Sequence, residues 1–237
     1  MSDFVELWIY LSATPLFGLT ASLSIYVLAH TVYARLDQNP IANPVLWSVL
    51  TLALLLHLTR TPYQTYFSGA QFIHFLLGPA VVALAWPLWE RRSELRSRAG
   101  ALLTAAVAGG TAAAVSAVVL GYLLNLPIEV LRSLAPKSVT APVAMGLAER
   151  MDGVPALAAV FAVVTGMIGA LSAKYLFDWL RIASPAVRGF ALGTASHGIG
   201  AARAMQVHPD AGAYAGLALG LQVILASLSL PLIARLF

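Results

Sequence analysis

LRSLAPKSVTAP, residues 131–142, places a lysine, two serines, a threonine and two prolines in a chain that is otherwise almost continuously apolar. Pro136 and Pro142 lie six residues apart and cannot both sit inside one regular helix, because each lacks an N–H and its ring clashes with the carbonyl one turn back. A polar, charged and helix-broken segment at membrane depth persists only where it is buried in protein or faces a water-filled cavity. This stretch therefore reads as a solute site inside a membrane protein.

The remainder of the chain supports that reading. Hydrophobic residues make up 59% of its 237 positions and charged residues 10%, where a soluble domain carries roughly a quarter charged. Mean hydropathy is +0.82. Five stretches contain no Asp, Glu, Lys or Arg: Leu7–Ala34, Thr61–Trp89, Ala99–Ile128, Gly153–Ala173 and Ala211–Ala234. Each exceeds the roughly 20 residues that a helix needs to span a bilayer. Shorter candidates lie at Pro44–Thr59, Ile128–Ala148 and Val187–Val207. The expectation is a single integral membrane domain over residues 1–237, an all-α polytopic membrane protein with seven to eight hydrophobic segments. Two or more of these would be interrupted helices, broken or re-entrant.

Charge sets the orientation. Arg91, Arg92, Arg96 and Arg98 crowd one loop, which the positive-inside rule assigns to the cytoplasm. Three spans back, the N-terminus falls outside, in keeping with Asp3 and Glu6 and with no cleavable signal peptide. The net charge of +4 then reports cytoplasmic loops rather than nucleic acid. Arg181 and Arg188 also favour the cytoplasm, yet simple alternation puts them outside. One re-entrant segment removes the conflict, and Pro136–Pro142 is the natural one.

A faint internal echo links Leu76–Arg92 with Leu134–Arg150: each is a proline-broken stretch followed by Glu-Arg. Such echoes occur in transporters built from repeats. Gly212, Gly216 and Gly220 share a helical face, as do Gly166 with Ala170, and Gly109 and Gly110 with Ala113 and Ala114. Small faces of this kind let helix backbones approach, within a bundle or across a homodimer.

Two constellations carry chemistry. In the first, Pro136 would open a half-helix. The free N–H groups of Lys137, Ser138 and Val139 would then face an anion, with the lysine charge and the hydroxyls of Ser133, Ser138 and Thr140 around it. The second is GTASHGIGAAR, residues 193–203. A break at Gly198-Ile199-Gly200 would turn His197 inward as a proton acceptor or donor, while Arg203 would clamp a carboxylate. Asn43-Pro44 reads as a helix cap. Gly78-Pro79 and Trp86-Pro87 would bend the third span into a gate. His57 and His74 read as buried structural residues. No HExxH, GxSxG, Walker A motif or acidic cluster is present, and the chain has no cysteine. Neither an enzymatic activity nor a metal or cofactor is expected.

These motifs resemble the LrgB/CidB family of bacterial membrane proteins. The likeness runs from Asn43-Pro44 through LLGPAVVALAWPL, SLAPKSVTAPVA and GVPALAAVFAVVTGMIGA to ALGTASHGIGAARA. It implies a multi-pass protein of the bacterial cytoplasmic membrane, and two functions. One is secondary transport of small 2-hydroxy or 2-keto monocarboxylates such as glycolate, glycerate, lactate or pyruvate, as in the plastid glycolate/glycerate translocator. The other is antiholin-like control of murein hydrolases together with a small LrgA/CidA-type membrane partner. Lys137, Ser138, Thr140, His197, Gly198, Gly200 and Arg203 match the family pattern and are the expected substrate-binding residues. Ala80 or Val81, and Ala201, depart from it, standing where a threonine is usual.

Overall fold

The computed structural model describes residues 15–36, 39–76, 79, 89 and 92–234. The N-terminal acids, Gly78, Ala80, Val81 and Trp86-Pro87 lie outside these, as does most of the first half of the echo. The chain divides into two compact units, Met1–Ala83 and Leu84–Phe237. All regular structure among the described residues is helical.

The first unit contains α1 (Pro15–Arg35), α2 (Pro44–Leu58) and α3 (Tyr63–Phe75). Asn43 caps α2 as its sequence implies: its side-chain oxygen accepts from the N–H groups of Val45 and Leu46 at 2.9 and 3.1 Å, and Pro44 follows at the first turn. Gly18 lets α1 lie directly on the backbone of α3 at Tyr66 and Gly69-Ala70.

The second unit contains α4 (Arg92–Ser97), α5 (Ala99–Leu123), α6 (Ile128–Leu134), α7 (Ala141–Arg150), α8 (Pro155–Trp179), α9 (Pro185–Val207) and α10 (Pro209–Ala234). Several helices stop in the same way. Arg60, Asn125, Asp152 and Arg181 adopt positive φ, and the next residue's N–H returns to a carbonyl five positions earlier: Thr61 to Leu56, Leu126 to Gly121, Gly153 to Ala148, Ile182 to Phe177. This is the Schellman closure, which satisfies carbonyls that a helix end leaves open.

The core is built from small side chains. Ala106, Ala144, Ala148, Ala158, Ala162, Ala215 and Ala218 are fully buried, whereas Leu103, Leu120, Val160, Ile168, Leu228 and Leu232 face outward. Small residues inside and large apolar ones outside suit helices packed by close backbone approach with lipid around them. Among the described residues, four helices are long and apolar enough to cross a membrane: α1, α5, α8 and α10. The shorter α2 is also apolar.

Neither Ile128–Ala148 nor Val187–Val207 forms one continuous helix. The first splits into α6 and α7, and the second is broken at His197. In the second unit the N-terminal end of α5 lies with the starts of α9 and α10, since Leu102, Ala186 and Tyr214 share one apolar cluster. The C-terminal end of α8 is there too, through Phe177, Ile182 and Ala211. The C-terminal end of α5 lies with α6 instead, as Gly121 packs on Leu131 and Leu134. The links from α5 to α8 and from α8 to α10 therefore each leave and return at the same end of the bundle, and those ends are opposite.

That geometry predicts a labelling pattern in the naturally cysteine-free chain. Ser93→Cys and Ser184→Cys should react with an impermeant maleimide only from the cytoplasmic side, and Glu129→Cys and Glu149→Cys only from the opposite side. Labelling of Ser184→Cys together with Glu149→Cys would contradict the fold.

Candidate functional site

The first turned-back segment is closed at its base by Ser133. Its hydroxyl donates to the Glu129 carbonyl at 2.6 Å and accepts from the Val154 N–H at 2.7 Å, so residues 134–152 depart from and return to one point. Gly153 makes the closure feasible, because a Cβ there would stand 3.0 Å from the Ser133 oxygen. Ser133 is completely buried. It is therefore a clamp and not one of the solute hydroxyls, which corrects the reading from composition.

Pro136 does not open a half-helix. It sits in a turn after α6, where the Lys137 N–H bonds to the Leu134 carbonyl and the Val139 N–H to the Pro136 carbonyl, both at 3.1 Å. The returning helix begins at Ala141, with Thr140 as its N-cap and Pro142 in its first turn. The tip is thus Lys137-Ser138-Val139-Thr140. Val139 anchors it in a cluster with Ala144, Leu147, Met151 and Ala162, and the Lys137 ammonium donates to the Ser138 hydroxyl at 3.3 Å.

The second turned-back segment is α9. The break falls on His197 itself, at φ 42° and ψ −135°, rather than on the glycines that follow. Gly189 lies against Ala211 and Gly193 against Ala215. The partner numbers rise together, so the first arm, residues 185–196, runs parallel to α10. Beyond the break the order reverses: Met205 reaches Gly212, and Gly200 packs on the Leu192 carbonyl and the Ser196 side chain. The second arm, residues 198–207, returns antiparallel alongside the first.

Positive φ at a histidine costs about 1–3 kcal/mol and must be held in place by its surroundings. Here His197 Nε2 donates to the Ala162 carbonyl on α8 at 2.8 Å, and the side chain is 3% exposed. A carbonyl only accepts, so Nε2 carries the proton and Nδ1 is the open position of the neutral ring. Gly166 and Gly169 admit the turn: a Cβ on the first would meet Ile199 and the His197 ring, and on the second would occupy the Ser196 hydroxyl.

The two tips meet at mid-bundle. Gly198 faces Thr140, with 3.8 Å between the methyl of Thr140 and a Cβ built on the glycine. The structure therefore brings together Lys137, Ser138, Thr140, His197 and Gly198. Gly200 lies between the arms as a spacer, not at the tip. Arg203 is buried on the returning arm, six residues or about 9 Å of helix from His197. A cavity of about 840 Å³ opens beside the first tip. Its lining includes Val115, Leu131, Pro136, Ser138, Gln222 and Leu230, so it reaches the base of the tip through a mainly apolar wall.

Two further residues belong to this region. Gln222 of α10 is buried and donates from Nε2 to the Ala106 carbonyl at 2.6 Å, and Gly110 leaves room for its amide. A lone glutamine in the charge-free stretch from Ala211 to Ala234 was the signal for it. Thr194, within the quoted GTASHGIGAAR motif, is buried one turn before the break.

The sequence profile described as LrgB-like family matches residues 22–236. The chain belongs to the LrgB-like family. It is 31% identical over 216 residues to the protein YxaC of Bacillus subtilis, covering 91% of this chain and 94% of the relative. A Haemophilus influenzae protein is 32% identical over 199 residues, with 84% and 86% covered. The protein named Holin-like protein CidB of Staphylococcus aureus is 27% identical over 214 residues, with 86% and 90% covered. No solved structure matches. Family membership and the four apolar helices make this LrgB-like protein a multi-pass membrane protein.

The close contact at Gly193 yields a stability prediction. Gly193→Val would drive a side chain into the backbone of α10 at Ala215 and should cost about 1–3 kcal/mol, read as a lower thermal midpoint in detergent. Gly220→Ala, where a Cβ would meet no atom within 4 Å, should not lower the midpoint, since alanine is the better helix former.

Proposed function

We propose that this LrgB-like protein is a secondary transporter of small monocarboxylates of the 2-hydroxy or 2-keto class, glycolate, glycerate, lactate or pyruvate among them. The observation that carries the reading is the meeting of two turned-back segments, entering from opposite ends of the bundle, at one cluster of polar groups. In membrane carriers, solute sites lie at such helix breaks near the midplane, where alternating movement of packed segments exposes the site to each side in turn. The tips supply complementary chemistry. Lys137 offers a positive charge, Ser138 and Thr140 offer hydroxyls, and Nδ1 of His197 offers an acceptor for a hydroxyl on the solute. The first N–H groups of the second arm of α9, at Gly198 and beyond, have no carbonyl before them in that arm and favour an anion. Arg203 supports the same sign of charge from further down the arm.

A second reading takes its support from the relatives. Proteins named holin-like CidB match most of the chain, and on that basis this protein would act with a small LrgA/CidA-type membrane partner to regulate murein hydrolase activity and autolysis. The relatives' names speak for this reading more directly than any observation speaks for a particular solute. Gly109, Gly110, Gly166 and Gly212 are taken up by packing within the bundle, and of the named glycines Gly220 is the one left open for a homodimer contact.

Lys137 separates the two. Proteoliposomes holding the protein alone should take up radiolabelled glycolate, lactate or pyruvate saturably, and Lys137→Ala should reduce uptake at least tenfold while the protein remains folded and inserted. Absence of uptake by the wild type, together with unaltered autolysis control in cells expressing Lys137→Ala, would overturn the transporter reading in favour of the regulator.

A further inference from the structure

The half of the second unit away from Arg92, Arg96 and Arg98 carries a lateral groove between α5 and α10. It is the cavity of about 840 Å³ that opens beside the first tip. Its floor is buried, with Leu131, Val139, Met151 and Gln222. Its rim is not: Val115, Val119, Tyr122, Ile128 and Ile233 line the same space and are 47% to 71% exposed. The groove therefore opens sideways onto the hydrocarbon of a bilayer. An apolar space of this kind stays dry, and what fills it is apolar.

The groove is blind at one end. On the cytoplasmic side of Gln222, α5 and α10 pack together. Ala106, Tyr214 and Ala218 share a buried cluster there with Leu102 and Leu221 against it, and the Gln222 amide donates to the Ala106 carbonyl at 2.6 Å. From that point the lining runs outward over Gln222–Ala234 on α10 and Gly110–Tyr122 on α5, each about 18 Å of helix. The hydrocarbon of one leaflet is about 15 Å deep, half of the bilayer core. The groove thus matches an acyl chain descending from the outer surface. A transmembrane helix, from a partner or a second copy, would need an open face along the whole core, and half of this one is closed.

Charge is placed to suit a lipid headgroup. Arg132 is the one charged residue lining the groove among the described residues. It stands on α6, one turn from Ile128 on the rim. Its ion pair with Asp152 is long, at 3.8 Å, and Asp152 is 89% exposed. Such a pair holds little and leaves guanidinium N–H donors for another acceptor. An arginine fork binds phosphate through two parallel hydrogen bonds, and tyrosines such as Tyr122 on the rim are typical of membrane interfaces.

We infer that the groove is a phospholipid site, holding an acyl chain between α5 and α10 with the lipid phosphate on Arg132. Pro136, Ser138 and Val139 of the first tip line the same space, so the bound chain supports the tip that carries Lys137. The site stands independently of either functional reading.

The test is photo-crosslinking of the full chain in nanodiscs. The probe is a phosphatidylglycerol with a diazirine at the end of one acyl chain, and adducts are mapped by mass spectrometry. Labelling at residues 110–118 and 222–229 should exceed labelling around Ile168, which faces outward on α8, by about tenfold, the worth of one charge-assisted contact. Arg132→Gln should remove that excess, and Arg132→Lys should keep part of it. Ser229→Trp, which fills the groove from α10, should abolish it. A diacylglycerol with the same chains and no phosphate should label the groove no more than Ile168. Equal labelling of the groove and Ile168 by the phosphatidylglycerol probe would overturn the site, as would an excess that persists in Arg132→Gln or in Ser229→Trp. Protection of the groove in particles holding two copies would assign it to a dimer contact and overturn the site as well.

Discussion

Broken helices expose backbone polar groups, and an apolar bundle tolerates them only when each finds a partner. The second unit is arranged around that constraint. At the first break, local turns take up the N–H groups of Lys137 and Val139, Thr140 and Pro142 start a new helix, and Ser133 joins the base to Val154. At the second, a strained histidine is held by the Ala162 carbonyl, and Gly166 and Gly169 on α8, with Gly200 on the returning arm, let backbone and side chains close around the turn. The carbonyl 162 lies on α8, whose flanks also carry the core of the first segment through Ala158 and Ala162. One helix thus registers both tips.

That arrangement accounts for the charge pattern. With residues 124–154 returning to the end they left, α8 runs back toward the end where α5 began. Arg181 and Arg188 then share a side with Arg92, Arg96 and Arg98, as the positive-inside rule requires. Arg188 is further tied to Asp178 at 2.6 Å, with both groups part-exposed, an interfacial pair that adds little stability and marks the end of the span. Counting every hydrophobic segment as a crossing would instead put these arginines on opposite sides.

Much of this was legible in the sequence. Composition and charge-free runs gave the helical membrane class, because a bilayer imposes length and polarity limits that single sequences display. The prolines and polar residues at 136–142, and the glycines around His197, marked both interruptions. Their geometry was less visible. Proline is compatible with either a helix start or a turn, and only packing assigned Pro136 to the turn and Pro142 to the start. The α9 break was expected at Gly198–Gly200, since glycine tolerates positive φ. It falls on His197 because Gly200 is needed between the arms, and because the Ala162 carbonyl sets the ring. Ser133 and Thr194 look alike in sequence, and tertiary contacts alone separate a clamp from a buried hydroxyl without a partner among the described residues. The roles of Gly109 and Gly110 depend on Thr194 and Gln222, far away along the chain, and no local pattern encodes such a pairing.

The central claim is that the two turned-back segments meet tip to tip. A disulfide needs Cβ atoms about 3.5–4.5 Å apart; the Thr140 methyl stands 3.8 Å from a Cβ built on Gly198, with the Thr140 Cβ one bond from that methyl. In the cysteine-free chain, Thr140→Cys combined with Gly198→Cys should cross-link rapidly under mild oxidation in native membranes, and reduction should reverse it. Failure to cross-link, with each cysteine still reactive toward a small maleimide on its own, would contradict the account.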